Sequence, residues 1–176
     1  MNKFNQRKRY WFYAWAWVLS IYSTLYFVRP VCEFLKKTTP FALLVDIFLF
    51  SFFLILITVL CIHFKIQKWP VYFGLVMILS FYGYFANLII YPEEKIHFLE
   101  YGFLAYLILK ACLIDFNSKL AVIIAFVLSS VLGWVDELIQ GILPNRYYQN
   151  EDVLLNCLSA ALGLLLTLIF LNPILV

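Results

Sequence analysis

The chain has 176 residues, of which 65% are hydrophobic and 13% are charged, and its mean hydropathy is +0.91. Soluble domains are about 45–50% apolar and about 25% charged, and a chain of this length forms one soluble domain at most. A soluble fold of that size cannot bury so much apolar surface, so the composition predicts an integral membrane protein. Membrane orientation explains most of the net charge of +3, and we expect no nucleic acid as a partner.

The apolar residues fall in six runs that approach the roughly 20 residues a membrane-spanning helix needs. In chain order we predict spans at Tyr10–Val28, Phe41–Phe64, Trp69–Tyr91, Ile96–Ile114, Leu120–Leu143 and Val153–Leu171. Arg29 and Pro30 are expected to end the first span, and the fourth is the weakest because only 14 residues separate Lys95 from Lys110. The sequence therefore predicts an all-α, polytopic transmembrane helix bundle that forms a single domain over residues 1–176.

The distribution of basic residues predicts the orientation of this bundle. With six spans, eight lysines and arginines lie on the N-terminal side and five on the opposite side. Because basic residues concentrate in cytoplasmic loops, we expect both termini to be cytoplasmic. Of the ten acids, Asp115 alone then lies on the inner side, so the acidic chemistry faces outward. The basic N-terminal segment also suits a signal peptide, but the following run is long and aromatic and lacks an A-x-A site, so we interpret it as a retained helix.

Polar residues recur at helical spacing, which aligns them on one face of each of four predicted helices. These faces comprise Ser80, Tyr84, Asn87 and Tyr91; Glu93, His97, Glu100 and Tyr101; Gly133, Asp136, Glu137 and Gln140; and Asp152, Asn156, Ser159, Gly163 and Thr167. Their most polar members lie at the predicted outer ends, which indicates one outward-opening pocket. Polar faces also serve simply to join membrane helices. Adjacent carboxylates such as Asp136 and Glu137 repel each other and join helices poorly, which favours a functional role for them.

The connection between the last two predicted helices begins with Pro144-Asn145, a pair typical of turns. Arg146 follows, and two interpretations of it are open. It pairs with the carboxylates of the preceding helix and closes the loop, or it clamps a phosphate or carboxylate in a bidentate fashion. Both can hold at once, with a ligand displacing the internal partner. Asp152 also suits a helix N-cap, and His97 suits a structural histidine at a helix start.

Four motifs lie between about residues 92 and 165: Glu94-Lys95-Ile96-His97-Phe98-x-Glu100-Tyr101, Asp136-Glu137-x-x-Gln140, Pro144-x-Arg146, and Asp152-Val153-x-x-Asn156 with a later Gly163. In order and spacing this set resembles the VanZ-like family, whose pattern runs roughly D/E-K-x-x-H-F, D-E-x-x-Q, P-x-R and D-x-x-x-N. The resemblance implies a multi-pass protein of the bacterial cytoplasmic (inner) membrane. The family is named for a role in resistance to the glycopeptide antibiotic teicoplanin, and the resemblance implies no particular reaction.

We therefore predict an outward-facing pocket, surrounded by membrane lipid, that binds or processes an envelope molecule such as a lipid-linked precursor or a glycan headgroup. The candidates for acid–base chemistry are Glu100, Asp136, Glu137 and His97. Burial and like charge favour the protonated form of such carboxylates, and a histidine can shuttle the proton. The candidates for substrate binding are Arg146, Gln140, Asp152, Asn156 and Lys95. Whether the protein is an enzyme stays open.

Two other classes of function are open. Proton- or ion-coupled transport uses intramembrane acids and histidines as relays, but the predicted inner half of the bundle offers little beyond His63. The other class is a non-catalytic membrane scaffold.

A metal-dependent site is a further possibility at the sequence level. His97-x-x-Glu100 with Asp136, Glu137 and Asp152 supplies nitrogen and oxygen ligands that suit Zn or Mn. Their spacing fits no recognised metal motif, so we expect no metal and no cofactor. The four cysteines form no C-x-x-C pair and are expected to be free thiols, although a Cys32–Cys157 disulfide is conceivable.

Overall fold

The computed structural model describes the backbone of residues 3–65, 69–144 and 146–175, and side chains within these ranges except Phe64 and those beyond Phe170. Within these ranges the chain is helical and contains no strand, which confirms the predicted all-α class. The α-helices are α1 (Lys3–Thr38), α2 (Phe41–Phe64), α3 (Trp69–Leu88), α4 (His97–Cys112), α5 (Ser118–Ile142) and α6 (Asn150–Leu175). A short 3-10 segment, Pro92–Ile96, precedes α4. None of the four cysteines, all of which lie in the described ranges, forms a disulfide.

Helix α1 is longer than the sequence predicts. It contains 36 residues, and Pro30 lies inside it. The prediction that Arg29 and Pro30 end the first helix was therefore wrong. Proline removes one backbone hydrogen bond, which normally breaks or kinks a helix, but neighbouring groups in a membrane protein often compensate for that loss.

Among the described residues, five α-helices are long and apolar enough to cross a membrane, which indicates a membrane protein. Their bounds are Lys3–Thr38, Phe41–His63, Trp69–Leu88, Ser118–Ile142 and Asn150–Phe170. Helix α4 is not among them, so five of the six predicted spans are long and apolar enough to cross a membrane. The reason is its length: its 16 residues rise about 24 Å, less than the hydrocarbon thickness of about 30 Å.

The described chain divides into two compact units. The first contains the chain up to Val31 together with His97–Leu164, and the second contains Cys32–Ile96 and the chain from Leu165. The division within α1 falls between Val31 and Cys32, one residue after Pro30, which cannot donate a backbone hydrogen bond. The sequence-based interpretation of residues 1–176 as a single domain stays a prediction.

Helix α4 forms the core of the first unit. Its fully buried side chains are Tyr101, Leu104, Ala105, Leu109 and Ala111. Two aromatic side chains of α1 tie that helix to its neighbours, because Trp17 Nε1 donates to the Glu100 carbonyl (2.9 Å) and Tyr22 Oη donates to the Leu132 carbonyl (2.7 Å). Such hydrogen bonds are one of the few attractive forces between helices in lipid, where apolar contacts gain little from leaving the solvent.

Helix α6 lies very close to α4 and α5 within the first unit. A Cβ atom on Gly163 would lie 2.5 Å from the Gly102 Cα, and one on Gly133 would lie 2.6 Å from the Asn156 Cβ. Glycine is therefore required at these crossings for steric reasons. The close approach brings the polar faces of the three helices together.

In the second unit, ion pairs fix the 3-10 segment. Lys95 Nζ lies 2.6 Å from Asp46 Oδ1 in α2, and Lys36 Nζ lies 2.6 Å from Glu93 Oε1. The side chain of Lys95 is largely buried (11% exposed), whereas that of its partner Asp46 is 52% exposed, so only the lysine side of this ion pair is withdrawn from solvent. The aromatic rings of Phe53 and Tyr82 add a contact between α2 and α3, with centroids 4.6 Å apart.

Candidate functional site

Three titratable side chains converge at one end of the first unit. His97 begins α4, Glu137 lies near the end of α5, and Asp152 lies in the first turn of α6. One potential ligand atom from each lies within 4.8 Å of the other two, and the three residues are 8%, 0% and 3% exposed. Short connections reverse the chain between these helices, which is why the start of α4, the end of α5 and the start of α6 meet. We call these three residues the triad.

Glu100 orients the imidazole of the triad. His97 Nδ1 lies 3.1 Å from Glu100 Oε2, one helical turn later on the same face. When Nδ1 carries the proton and donates it to this carboxylate, Nε2 keeps a lone pair for a proton or another ligand. The alternative that His97 has only a structural role does not account for the carboxylates gathered around it.

The carboxylate of Glu137 is buried and incompletely paired. Its Oε1 accepts a hydrogen bond from Gln140 Nε2 (3.0 Å), and the backbone N–H of Gln149 approaches the same carboxylate. Its Oε2 has no hydrogen-bond partner among the described residues. A buried acceptor without a partner costs about 1–3 kcal/mol, so this oxygen indicates a bound group or a proton that completes the site.

Asp136 has different partners from its neighbour Glu137. Its Oδ2 accepts a hydrogen bond from Tyr101 Oη (2.8 Å), whereas Oδ1 has none within the described chain. Consecutive residues on an α-helix point about 100° apart, which sends the two carboxylates to different surroundings. Asp136 therefore lies beside the triad rather than in it.

Asp152 accepts a hydrogen bond from the side chain of Gln149 (Nε2 to Oδ2, 3.2 Å). It lies within α6, which begins at Asn150, and no hydrogen bond joins its carboxylate to a backbone N–H of the described helix. Asp152 therefore does not act as the N-cap of α6. Asn156, one turn further, donates from Nδ2 to the Gly133 carbonyl (3.1 Å), and its Oδ1 has no partner among the described residues.

Arg146 lies beside the acids without contacting them. Its guanidinium attracts both Asp136 and Asp152, but no ion pair joins it to the site carboxylates in the described part of the chain. Its Nε is buried and has no hydrogen-bond partner there. Of the two interpretations of Arg146, closure of the loop by an internal ion pair is therefore not observed. The nearby Arg29 guanidinium lies 5.6 Å from the ring centroid of Tyr147, in the same loop.

The first unit contains eight of the nine residues that the sequence singles out. The exception is Lys95, which belongs to the second unit and pairs with Asp46. Sequence reasoning missed that partner, although an acid inside the apolar α2 was a signal for it. It also missed Gln149, which contacts Asp152 and has no distinguishing spacing.

Comparison of the chain with protein-family models, curated proteins and solved structures found no match. The resemblance to the VanZ-like family accordingly stays a prediction that rests on the four motifs. Those motifs and the triad involve the same positions, since His97, Glu137 and Asp152 each come from a different motif.

Proposed function

We propose that this chain is a VanZ-like protein of the bacterial inner membrane whose polar site binds or processes an anionic headgroup of the cell envelope, either lipid-linked or glycan. The observation that carries the proposal is the convergence of His97, Glu137 and Asp152, all buried, within 4.8 Å. Ionisable groups withdrawn from solvent in a membrane protein are costly and are rarely retained without a function.

The unsatisfied polar atoms at the site support a polar ligand. Arg146 Nε, Glu137 Oε2 and Asn156 Oδ1 are buried, and none of the three has a hydrogen-bond partner within the described residues. A ligand that carries both an anionic group and hydroxyl groups would pair with a guanidinium and with carboxylate and amide oxygens at once. Phosphorylated and glycosylated headgroups have this combination of groups.

The proposed roles follow from position and chemistry. Arg146 holds the anionic group, because a guanidinium binds phosphate or carboxylate in a bidentate fashion. His97 and Glu137 exchange a proton with a ligand hydroxyl, and Glu100 keeps the imidazole in one orientation through its hydrogen bond (3.1 Å). The remaining polar side chains proposed to contact the ligand are those of Gln140, Asp152 and Asn156.

Expression of the chain in a strain that lacks it is expected to change teicoplanin susceptibility together with the lipid or glycan composition of the envelope. The transporter alternative predicts something else, namely proton or ion flux in proteoliposomes that contain the purified protein. Both measurements use the full chain, and empty liposomes are the control for leakage. Ion or proton flux without any change in envelope composition would support the transporter in place of the proposal. If the chain produces neither flux nor a change in the envelope, the non-catalytic scaffold is the interpretation that stands.

We also propose that α4 crosses the membrane despite its 16 residues, that both termini are cytoplasmic and that the connection after α5 lies outside. In a cysteine-free background, Tyr147→Cys (72% exposed) should react with a membrane-impermeant thiol reagent in intact cells. Lys119→Cys, at the start of α5, should react only after permeabilisation. The reversed pattern would mean that the site faces the cytoplasm, either because α4 does not cross or because both termini lie outside.

A further inference from the structure

We infer that His97, Glu137 and Asp152 bind one divalent cation, Zn²⁺ or Mn²⁺. The ligand set combines one imidazole nitrogen with two carboxylate oxygens, and these atoms lie within 4.8 Å of one another. Imidazole suits zinc and other transition metals, whereas carboxylates suit harder ions such as manganese, so a mixed set selects these two candidates. From the sequence we expected no metal, because ligands that come from three separate helices form no recognised spacing motif. That expectation is untested. The grouping of the three side chains in space is the reason to propose a metal site here.

An independent observation, a buried oxygen of Glu137 without a hydrogen-bond partner among the described residues, also points to a ligand at this position. Glu137 is 0% exposed, its Oε1 is occupied by Gln140, and its Oε2 has no partner among the described residues. The unpartnered Oε2 belongs to the Glu137 carboxylate, which lies close to the side chains of His97 and Asp152. A cation between the three side chains would pair with this oxygen.

The charge of the site also favours a cation. Asp136, Glu137 and Asp152 are each 3% exposed or less, and no lysine or arginine forms an ion pair with any of them in the described ranges. Buried carboxylates need a counter-charge, a proton or a metal. Arg146 attracts Asp136 and Asp152 from a distance, and a protonated His97 attracts all three carboxylates, but neither forms an ion pair with them in the described residues. With a metal bound, His97 is neutral and the cation supplies this counter-charge instead.

Each of the three ligands has its own outer partner. Glu100 contacts His97 Nδ1 (3.1 Å), Gln140 donates to Glu137 Oε1 (3.0 Å), and Gln149 donates to Asp152 Oδ2 (3.2 Å). Side chains that bind metals are typically held in this way, and a carboxylate on the far nitrogen of a ligating histidine is the commonest case. These contacts leave His97 Nε2, Glu137 Oε2 and Asp152 Oδ1 without an outer partner, and we assign these three atoms to the ion.

The dimensions of the triad fit an ion after a small adjustment. Ligand atoms at about 2.1 Å from a tetrahedral ion lie about 3.4 Å apart, so side chains whose ligand atoms are up to 4.8 Å apart have to draw together by up to about 1.4 Å. Three protein ligands leave at least one coordination position open, as in catalytic rather than structural zinc sites. That position is available to a ligand oxygen, next to Arg146. This last step alone depends on the proposed function, whereas metal binding does not. Where the ion is bound, His97 and Glu137 serve as its ligands instead of exchanging a proton with the headgroup.

Metal analysis of the detergent-purified full chain tests the inference. Protein prepared without chelator is expected to contain about one equivalent of Zn or Mn. After chelator treatment, it should bind added Zn²⁺ or Mn²⁺ saturably with a rise in thermal midpoint. Glu137→Gln and Asp152→Asn should lose the metal and the midpoint rise, and Glu100→Gln should weaken binding about 10–100-fold. Glu151→Gln, an exposed neighbour of Asp152, is the matched control and should bind as the wild type does.

Two results would overturn the metal site: wild-type protein that binds neither ion saturably, or Glu137→Gln and Asp152→Asn proteins that bind as well as the wild type. The fold of each variant is checked by circular dichroism, and glutamine and asparagine preserve the shape of the acids they replace. The failures of the two proposals are distinguishable. Metal-free wild type with an envelope phenotype refutes the metal site alone, whereas stoichiometric metal without that phenotype refutes the proposed function alone.

Discussion

Glu137→Gln is expected to abolish the effect of the chain on teicoplanin susceptibility and envelope composition while leaving it folded in the membrane. The substitution keeps the volume of a side chain that is 0% exposed. The amide oxygen can still accept the hydrogen bond from Gln140, so packing is preserved. What disappears is the charge and the ability to exchange a proton, and loss of an acid–base group typically costs about 10²–10⁴-fold in rate.

The matched control for this variant is Glu151→Gln, which makes the same chemical change at an exposed position in the first turn of α6. It should retain the full phenotype. Complementation of the deletion strain, with membrane levels checked by immunoblot, gives the comparison. If Glu137→Gln complements as well as Glu151→Gln does, the carboxylate has no role in function and the scaffold interpretation replaces the proposed one.

Two companion variants extend this test. Glu100→Gln alters the partner of the His97 ring, so it should reduce the phenotype less than Glu137→Gln does. Arg146→Ala should reduce the phenotype strongly yet leave thermal stability close to wild type, because no ion pair of Arg146 with the site acids is observed in the described chain. A large loss of stability in Arg146→Ala would instead indicate the internal ion pair that the sequence left open.

Hydropathy was sufficient to predict the helices that are apolar over most of their length. The predicted bounds Phe41–Phe64 coincide with α2, because a long apolar run, interrupted only by Asp46 and His63, identifies a span without help from tertiary contacts. The prediction failed where local and tertiary effects conflict. Pro30 suggested a helix end, but α1 continues through it. The length of α4 depended on the 3-10 segment, which the sequence pattern does not distinguish from a helical turn.

The candidate site was predictable as a set of residues but not as an arrangement. Helical spacing placed Asp136, Glu137 and Gln140 on one face of α5, and all three are buried. The same spacing could not decide which acid would meet His97, because the outcome depends on the rotation of α5 against α4 and α6. In the structure Glu137 does so, whereas Asp136 pairs with Tyr101.

Gly163→Ala is expected to destabilise the protein strongly, because this glycine sets the distance between α4 and α6. The added Cβ would lie 2.5 Å from Gly102 Cα and 2.6 Å from its carbonyl oxygen. Both are backbone atoms of a buried helix, so no side chain can rotate away and the helices have to separate. Overpacking of this kind costs about 1–3 kcal/mol and occasionally more. Separation would also move Asp152 away from His97, so metal or ligand binding should weaken in parallel.

Gly83→Ala is the matched control, since a Cβ on this helical glycine in α3 would meet no atom within 4 Å. There alanine should be neutral or stabilise by up to about 1 kcal/mol, because glycine is the poorer helix former. Thermal unfolding of both variants in the same detergent, followed by circular dichroism, measures the difference. Equal midpoints for Gly163→Ala and Gly83→Ala would contradict the close crossing of α4 and α6, and with it the geometry that brings the start of α6 to the triad.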